Sequence, residues 1–228
     1  MPSRTAKHSR RLRLWQLVSP ALPIGAYAYS RGLEYAVAAH WVGDGDTATA
    51  WIEGQLTDVL ATLDIPVLIR LYRAWHSGDN SLLYYWSRFL LAARESAELV
   101  AEDRDLGTAL ARLLTDLGVE EARPWQAAEQ ASFAALFALA TERWGIDRRE
   151  AAEAYAWVSC EHQVAAAVKL IPLGQTAGQR LLLQLADRIP EAVCSGLDLN
   201  DNEIRGAAPG LGIASARHEV QYTRLFRS

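Results

Sequence analysis

Leu106-Gly107-Thr108-Ala109-Leu110-Ala111-Arg112-Leu113-Leu114-Thr115-Asp116-Leu117 sets leucine at intervals of four, three, one and three residues. That spacing gathers the apolar side chains on one face of a helix and leaves Arg112 and Asp116 on the other. The same rhythm appears on both sides of it. Ile52, Leu56, Val59, Leu60 and Leu63 form one buried face, and Leu68, Leu71, Tyr72 and Trp75 form another. A run from Pro124 to Trp144 carries Ala128, Ala131, Phe137 and Ala140, with proline placed for a helix start. A second long run, Asp147 to Leu170, opens on an acidic residue suited to an N-cap.

Between these segments stand Gly43-Asp44-Gly45, Ser77-Gly78-Asp79-Asn80, Gly118, Gly145 and Pro172-Leu173-Gly174, all turn-forming clusters. They imply short connections between antiparallel helices. Alanine is abundant and period-two alternation between hairpin turns is missing, so strands are not expected. The expectation is an all-α, single-domain bundle of about ten helices. It divides into a flexible, disordered basic leader over 1–10, a helical body over 11–197, and a loop with a C-terminal interaction tail over 198–228. The tail boundary rests on Asp198, Asn200, Asp201 and Asn202, followed by Gly206, Pro209, Gly210 and Gly212.

Composition narrows the function. At 228 residues, 50% hydrophobic and 22% charged, the chain has the make-up of a soluble protein with one large core. The longest uncharged stretch, Leu14 to Ser30, is interrupted by Pro20 and Pro23 and falls short of a membrane span. Arg4, Lys7, Arg10, Arg11, Arg13 and Arg31 are the only charged residues before Glu34, and the whole chain still totals −4. An acidic body behind a basic arm argues against nucleic acid. Cys160 and Cys194 do not make a disulfide framework and read as small core residues of a cytoplasmic protein.

Motifs for nucleotide or acyl chemistry are missing: there is no GxxxxGK[ST], no GxGxxG and no GxSxG. His8, His40, His76, His162 and His218 do not pair at ligand spacing. Cys160-Glu161-His162 are adjacent, and neighbours on a helix point apart.

The closing residues, Tyr222-Thr223-Arg224-Leu225-Phe226-Arg227-Ser228, are made of the residue types that anchor interfaces. Such a tail either orders on a partner or folds Leu225 and Phe226 back onto the chain's own core; composition leaves both open.

Three separated segments together resemble the urease accessory protein F family, UreF. They are Leu14-Trp15-Gln16-Leu17-Val18-Ser19-Pro20-Ala21-Leu22-Pro23-Ile24-Gly25 with Tyr29-Ser30-Arg31-Gly32-Leu33-Glu34, then Lys169-Leu170-Ile171-Pro172-Leu173-Gly174-Gln175, then Ala214-Ser215-Ala216-Arg217-His218-Glu219 with the tail. Arg94-Glu95 followed by Asp105-Leu106-Gly107 is a weaker match between them. Arg31 stands where the family often has glutamine, and Thr223 where serine is common.

The resemblance implies an all-helical, non-enzymatic chaperone, homodimeric within its complex and cytoplasmic, that touches neither membrane nor nucleic acid. It would bridge UreD (also called UreH) and the GTPase UreG, regulate GTP hydrolysis and assist nickel insertion into apo-urease. It would hold no cofactor stably: nickel passes through the assembled complex, and GTP is bound by UreG. The expected partner contacts are Tyr27, Tyr29 and Glu34 in the first segment, Lys169 and Gln175 in the second, and His218, Glu219, Tyr222, Arg224, Leu225, Phe226 and Arg227 in the third. Pro20 and Pro23 should hold a rigid loop ahead of a helix near Tyr29 to His40, and the free tail should be mobile. The competing reading is an all-α enzyme with a carboxylate site between helices, using Asp58, Glu95 and Glu161. A third is a helical nucleic-acid binder using the basic leader.

Overall fold

A computed structural model describes residues 4–228, with side chains beyond residue 8. Ten α-helices and no strand occur among the described residues. They are α1 (Arg4–Leu17), α2 (Leu33–Ala38), α3 (Gly45–Gln55), α4 (Ile65–Ser77), α5 (Asn80–Ala92), α6 (Ala97–Asp116), α7 (Phe133–Arg143), α8 (Arg148–Leu170), α9 (Gln175–Asp198) and α10 (Pro209–His218). The helix starts follow from short polar caps. Asp44 and Asp147 close capping boxes with Thr47 and Glu150, while Asp79, Ser96 and Ser132 each accept one amide of the first turn.

Helix α7 is the axis of the molecule. Every residue from Phe133 to Thr141 is buried, the mark of a helix enclosed on all sides. Helices α4, α5, α6 and α8 pack around it, and α9 lies along α8 and α3. Phe137 meets Phe133 and Tyr155 edge to face at its centre, and Phe133 and Tyr155 lie tilted to each other, with ring centroids 5.3 to 5.6 Å apart. Helix α6 crosses the start of α7 at Gly107, where a methyl group would sit 2.2 Å from the Ala131 carbonyl oxygen. Only glycine fits that approach.

A nine-residue π-helical segment, Leu56–Asp64, joins α3 to α4 without a break. Its cause is Pro66, in the first turn of α4. Proline has no N–H for the Thr62 carbonyl four residues before it. The ladder widens, so that the Ile65 amide reaches Leu60 instead, and the Thr62 carbonyl accepts the Arg205 amide at 3.1 Å.

Several expectations need correction. The run from Pro124 to Trp144 is two elements, a 3-10 segment Glu120–Ala127 and α7, because Ser132 caps a new start. Residues 198–228 are not all loop and tail: Pro209 opens the ten-residue α10. The leader is helical from Arg4, and Arg10 reaches Glu150 at 3.3 Å; only Met1–Ser3 lie outside the described residues. The helix near Tyr29 to His40 is limited to Leu33–Ala38, since Arg31 and Gly32 before it and His40 after it have positive φ. Cys160 is in the core, but Cys194 is exposed.

Candidate functional site: the docked C-terminal tail

The tail is not free. After α10 the chain turns and runs back over α2, and its last residues enter the body. The Ser30 amide donates to the Ser228 carbonyl at 2.7 Å, and the Ser30 hydroxyl donates to the same oxygen. The Arg227 amide donates to the Ala28 carbonyl at 2.8 Å. Ser228 is fully buried, with its hydroxyl donating to Glu102 at 2.8 Å. Phe226 is buried, and its ring faces the Lys169 ammonium at 5.5 Å. Of the two outcomes open for a tail of anchors, folding back is the one the chain adopts, so the expected free mobility is corrected.

Glu34 explains why the backbone docks there. Gly32 takes φ 75° immediately before α2, and a methyl on it would come 3.0 Å from the Ser215 amide, so α2 and α10 touch. Glu34, in the first turn of α2, is thereby buried beside α10. Its carboxylate accepts the Leu225 amide at 2.6 Å and the Phe226 amide at 2.8 Å. It also faces His218 Nε2 at 3.1 Å, and His218 Nδ1 faces Glu98 of α6 at 2.8 Å. The other Glu98 oxygen accepts from Arg224 at 2.9 Å. Glu219 accepts the Ala97 amide at 3.1 Å at the start of α6, where the helix dipole favours an anion. Ser96 and Ser215 join α6 to α10 through their hydroxyls at 2.6 Å.

A second polar cluster lies deeper. The Arg94 guanidinium takes Asp64 through two nitrogens, at 3.0 and 2.7 Å, and Asp103 through two, at 2.8 and 2.6 Å. The Tyr155 hydroxyl donates to Asp64 at 3.1 Å, and the Phe133 amide, opening α7, donates to Asp103 at 2.7 Å. Burial pushes the Asp64 carboxyl up, but the charge and hydrogen bonds of Arg94 pull harder, and the net direction is down. Nearby, burial pushes Glu102 upward, with Arg31 opposing. Arg31 turns inward from a left-handed backbone, φ 52°, to 3.8 Å from Glu102, and its side chain is only 16% exposed. Burial and the Arg31 charge together lower His162 to about 4, which keeps it neutral. A cavity of about 40 Å³ separates these groups.

The twelve expected contact residues fall into two sets. Tyr29, Glu34, His218 and Phe226 are buried and serve the tail's own anchorage; the Tyr29 hydroxyl donates to Asp105 at 2.8 Å. Burial, reinforced by Asp105, pushes that phenol up to about 12. Tyr27, Lys169, Gln175, Glu219, Tyr222, Arg224, Leu225 and Arg227 are exposed. Tyr27, Lys169 and Phe226 line one pocket, which joins the first segment, the end of α8 and the tail in a single region. Gln175 starts α9 and lies outside that lining.

Sequence reasoning missed Glu98, Ser228 and the Arg94 cluster. A signal was present: Asp103 shares the apolar stripe of Leu99, Leu106 and Leu110, and Asp64 follows Leu60 by four residues. A charge on a buried face needs a partner. The alternative carboxylates do not assemble into a site, since Asp58 and Glu95 are exposed while Glu161 is on α8. No helix of the described residues is long and apolar enough to cross a membrane.

Residues 42–186 match the family model described as UreF. The urease accessory protein UreF of Alkalilimnicola ehrlichii is 56% identical over 216 residues, covering 95% of both chains. Those of Methylobacillus flagellatus and Pseudomonas putida strain GB-1 are 45% and 47% identical, each covering 95% of this chain and 97% of the relative. The pairwise matches are long enough to take in most of what the family model leaves out on either side. The chain therefore belongs to the UreF family, whose members are urease accessory proteins and not enzymes.

Proposed function

We propose that this chain is an adaptor of urease maturation that holds UreD (UreH) and UreG in one complex. By positioning UreG it would tune GTP hydrolysis and couple it to nickel delivery into apo-urease. Nickel is cargo here, and nucleotide chemistry belongs to the GTPase. Any such coupling requires the adaptor to bind the GTP and GDP forms of UreG with different affinity. The working form would be a homodimer within the complex, in the cytoplasm.

The observation that carries this reading is the exposed face of the docked tail. Val220, Tyr222 and Leu225 are 79%, 104% and 67% exposed, although Phe226 beside them is buried. Large apolar side chains presented on a segment pinned at both ends form a ready contact surface. Arg224 and Arg227 lie among them, and their forked donors suit carboxylates or carbonyls on a partner. Tyr27, 75% exposed, extends the same region.

Co-expression with UreD and UreG, followed by size-exclusion chromatography with and without GTP, tests it. A ternary complex should form, truncation before Tyr222 should abolish it, and Arg224→Lys should weaken it. If the truncated chain co-purifies undiminished, the tail is not the contact.

A further inference from the structure

His218 is fully buried, and each of its ring nitrogens faces a carboxylate oxygen. A neutral imidazole has one N–H and one lone pair, so it can donate to only one of two carboxylates. The other nitrogen would then aim a lone pair at an ionised oxygen inside the protein. Glu34 cannot turn away, because its two oxygens already accept the Leu225 and Phe226 amides. Glu98 is fixed from the other side by Arg224.

From this geometry we propose that His218 is a doubly protonated clamp that fastens the tail to the body, and that its second ring proton regulates whether the tail surface is presented. The proposal rests on the reading of the tail as the partner-binding surface. With both protons present, Glu34, Glu98, His218 and Arg224 form two anions and two cations, a balanced set. Without the second proton the set carries an uncompensated charge against the anchoring carboxylate, and Glu34 loses a partner while still holding two tail amides.

The charges facing the ring come from three elements: Glu34 from α2, Glu98 from α6, and Arg224 from the tail beyond Glu98. Glu219, next in sequence, is committed to the start of α6. The hydroxyls of Ser96 and Ser215 are paired with each other. The sign follows from the donors. Docking is retained while the ring holds both protons and is weakened without the second.

An undocked tail samples many conformers, so the apparent affinity for a partner falls in proportion to the docked fraction. His218 would thus control a contact it does not make, as a positioning residue.

The experiment is amide hydrogen exchange at Leu225 and Phe226 in the full chain, corrected for intrinsic rates, together with ¹H–¹⁵N correlation of the His218 ring. Both ring nitrogens should be protonated in the docked state, and the two amides should lose protection as the second proton leaves. His218→Gln, which donates from only one nitrogen, should speed their exchange at least tenfold. Helix α7 amides serve as the internal control, and their protection should not change.

A ring with one proton while both amides remain protected would overturn the clamp, as would undiminished protection in His218→Gln. If His218→Gln loosens the tail yet capture of UreD and UreG is unchanged, the clamp stands and the partner assignment fails. If the α7 amides also lose protection, Glu98→Gln is compared: it keeps the side-chain volume and leaves the Glu34 oxygens that hold the two amides, so selective loss at Leu225 and Phe226 there supports the clamp, whereas none overturns it.

Discussion

The molecule contains two buried ionic clusters built to opposite ends. The Arg94 cluster joins four pieces of the helical body: the end of the π segment through Asp64, α6 through Asp103, the start of α7 through the Phe133 amide, and α8 through Tyr155. The His218 cluster joins a surface segment to three helices, with Arg224 41% exposed at its rim. Removing a partner from the first leaves a charge that has nowhere to go. Removing one from the second allows the tail to lift and water to enter. Buried charge therefore secures the global fold in one region and sets a local equilibrium in the other.

Substitutions should separate the two regimes, and the largest effect belongs to the deeper cluster. Arg94→Met strands Asp64 and Asp103 and should cost about 3–5 kcal/mol of global stability, read from urea unfolding. A loss under about 1 kcal/mol would mean that water reaches the cluster in the folded state. Gly107→Ala tests the packing that places Asp103 at α7. The added methyl overlaps backbone, so about 1–3 kcal/mol should be lost, with the same midpoint by circular dichroism and by tryptophan fluorescence.

The pH response follows from Asp64. Its carboxyl is lower in the folded chain than in the unfolded one, so its contribution is present above the ordinary carboxylate range and is lost as pH falls through the folded value. Acid unfolding of the wild type should show this limb, and Asp64→Asn should flatten it at a cost in stability near neutral pH. Phe226→Ala shows the other regime. A core phenylalanine truncation ordinarily costs about 3–5 kcal/mol, but here local undocking caps the loss. The global midpoint should move by less than about 1 kcal/mol while trypsin cleavage after Arg224 accelerates. A full-size global loss would show the tail to be part of the cooperative core.

The smallest effect is chemical. Burial pushes the Cys160 thiol up to about 12, whereas Cys194 is exposed, so one equivalent of maleimide should label the native chain at Cys194 alone, as read by peptide mass mapping.

The contrast also shows what could be read from residues alone. Apolar periodicity gives α8 almost to the residue and the second half of α6, since a buried face repeats locally and Asp147 and Pro172 mark the ends of α8. The tail's residue types gave its importance but not its destination. Docking joins Glu34 to Leu225 and Ser30 to Ser228, and contacts at such separations leave no periodic trace. The division of α7 from the 3-10 segment before it was hidden for another reason: alanine continues across the join, and one serine cap decides it. Glu34 was picked out by resemblance as a surface contact, and it is instead the socket for the surface.

Pro66 has a consequence well beyond its own helix. By withholding a donor it keeps the Thr62 carbonyl vacant for the Arg205 amide, so a residue defined by what it lacks ties the stretch before α10 to the π segment. Restoring the amide with Pro66→Ala would let the ladder seal itself, and the route towards α10 would lose its hold at Arg205.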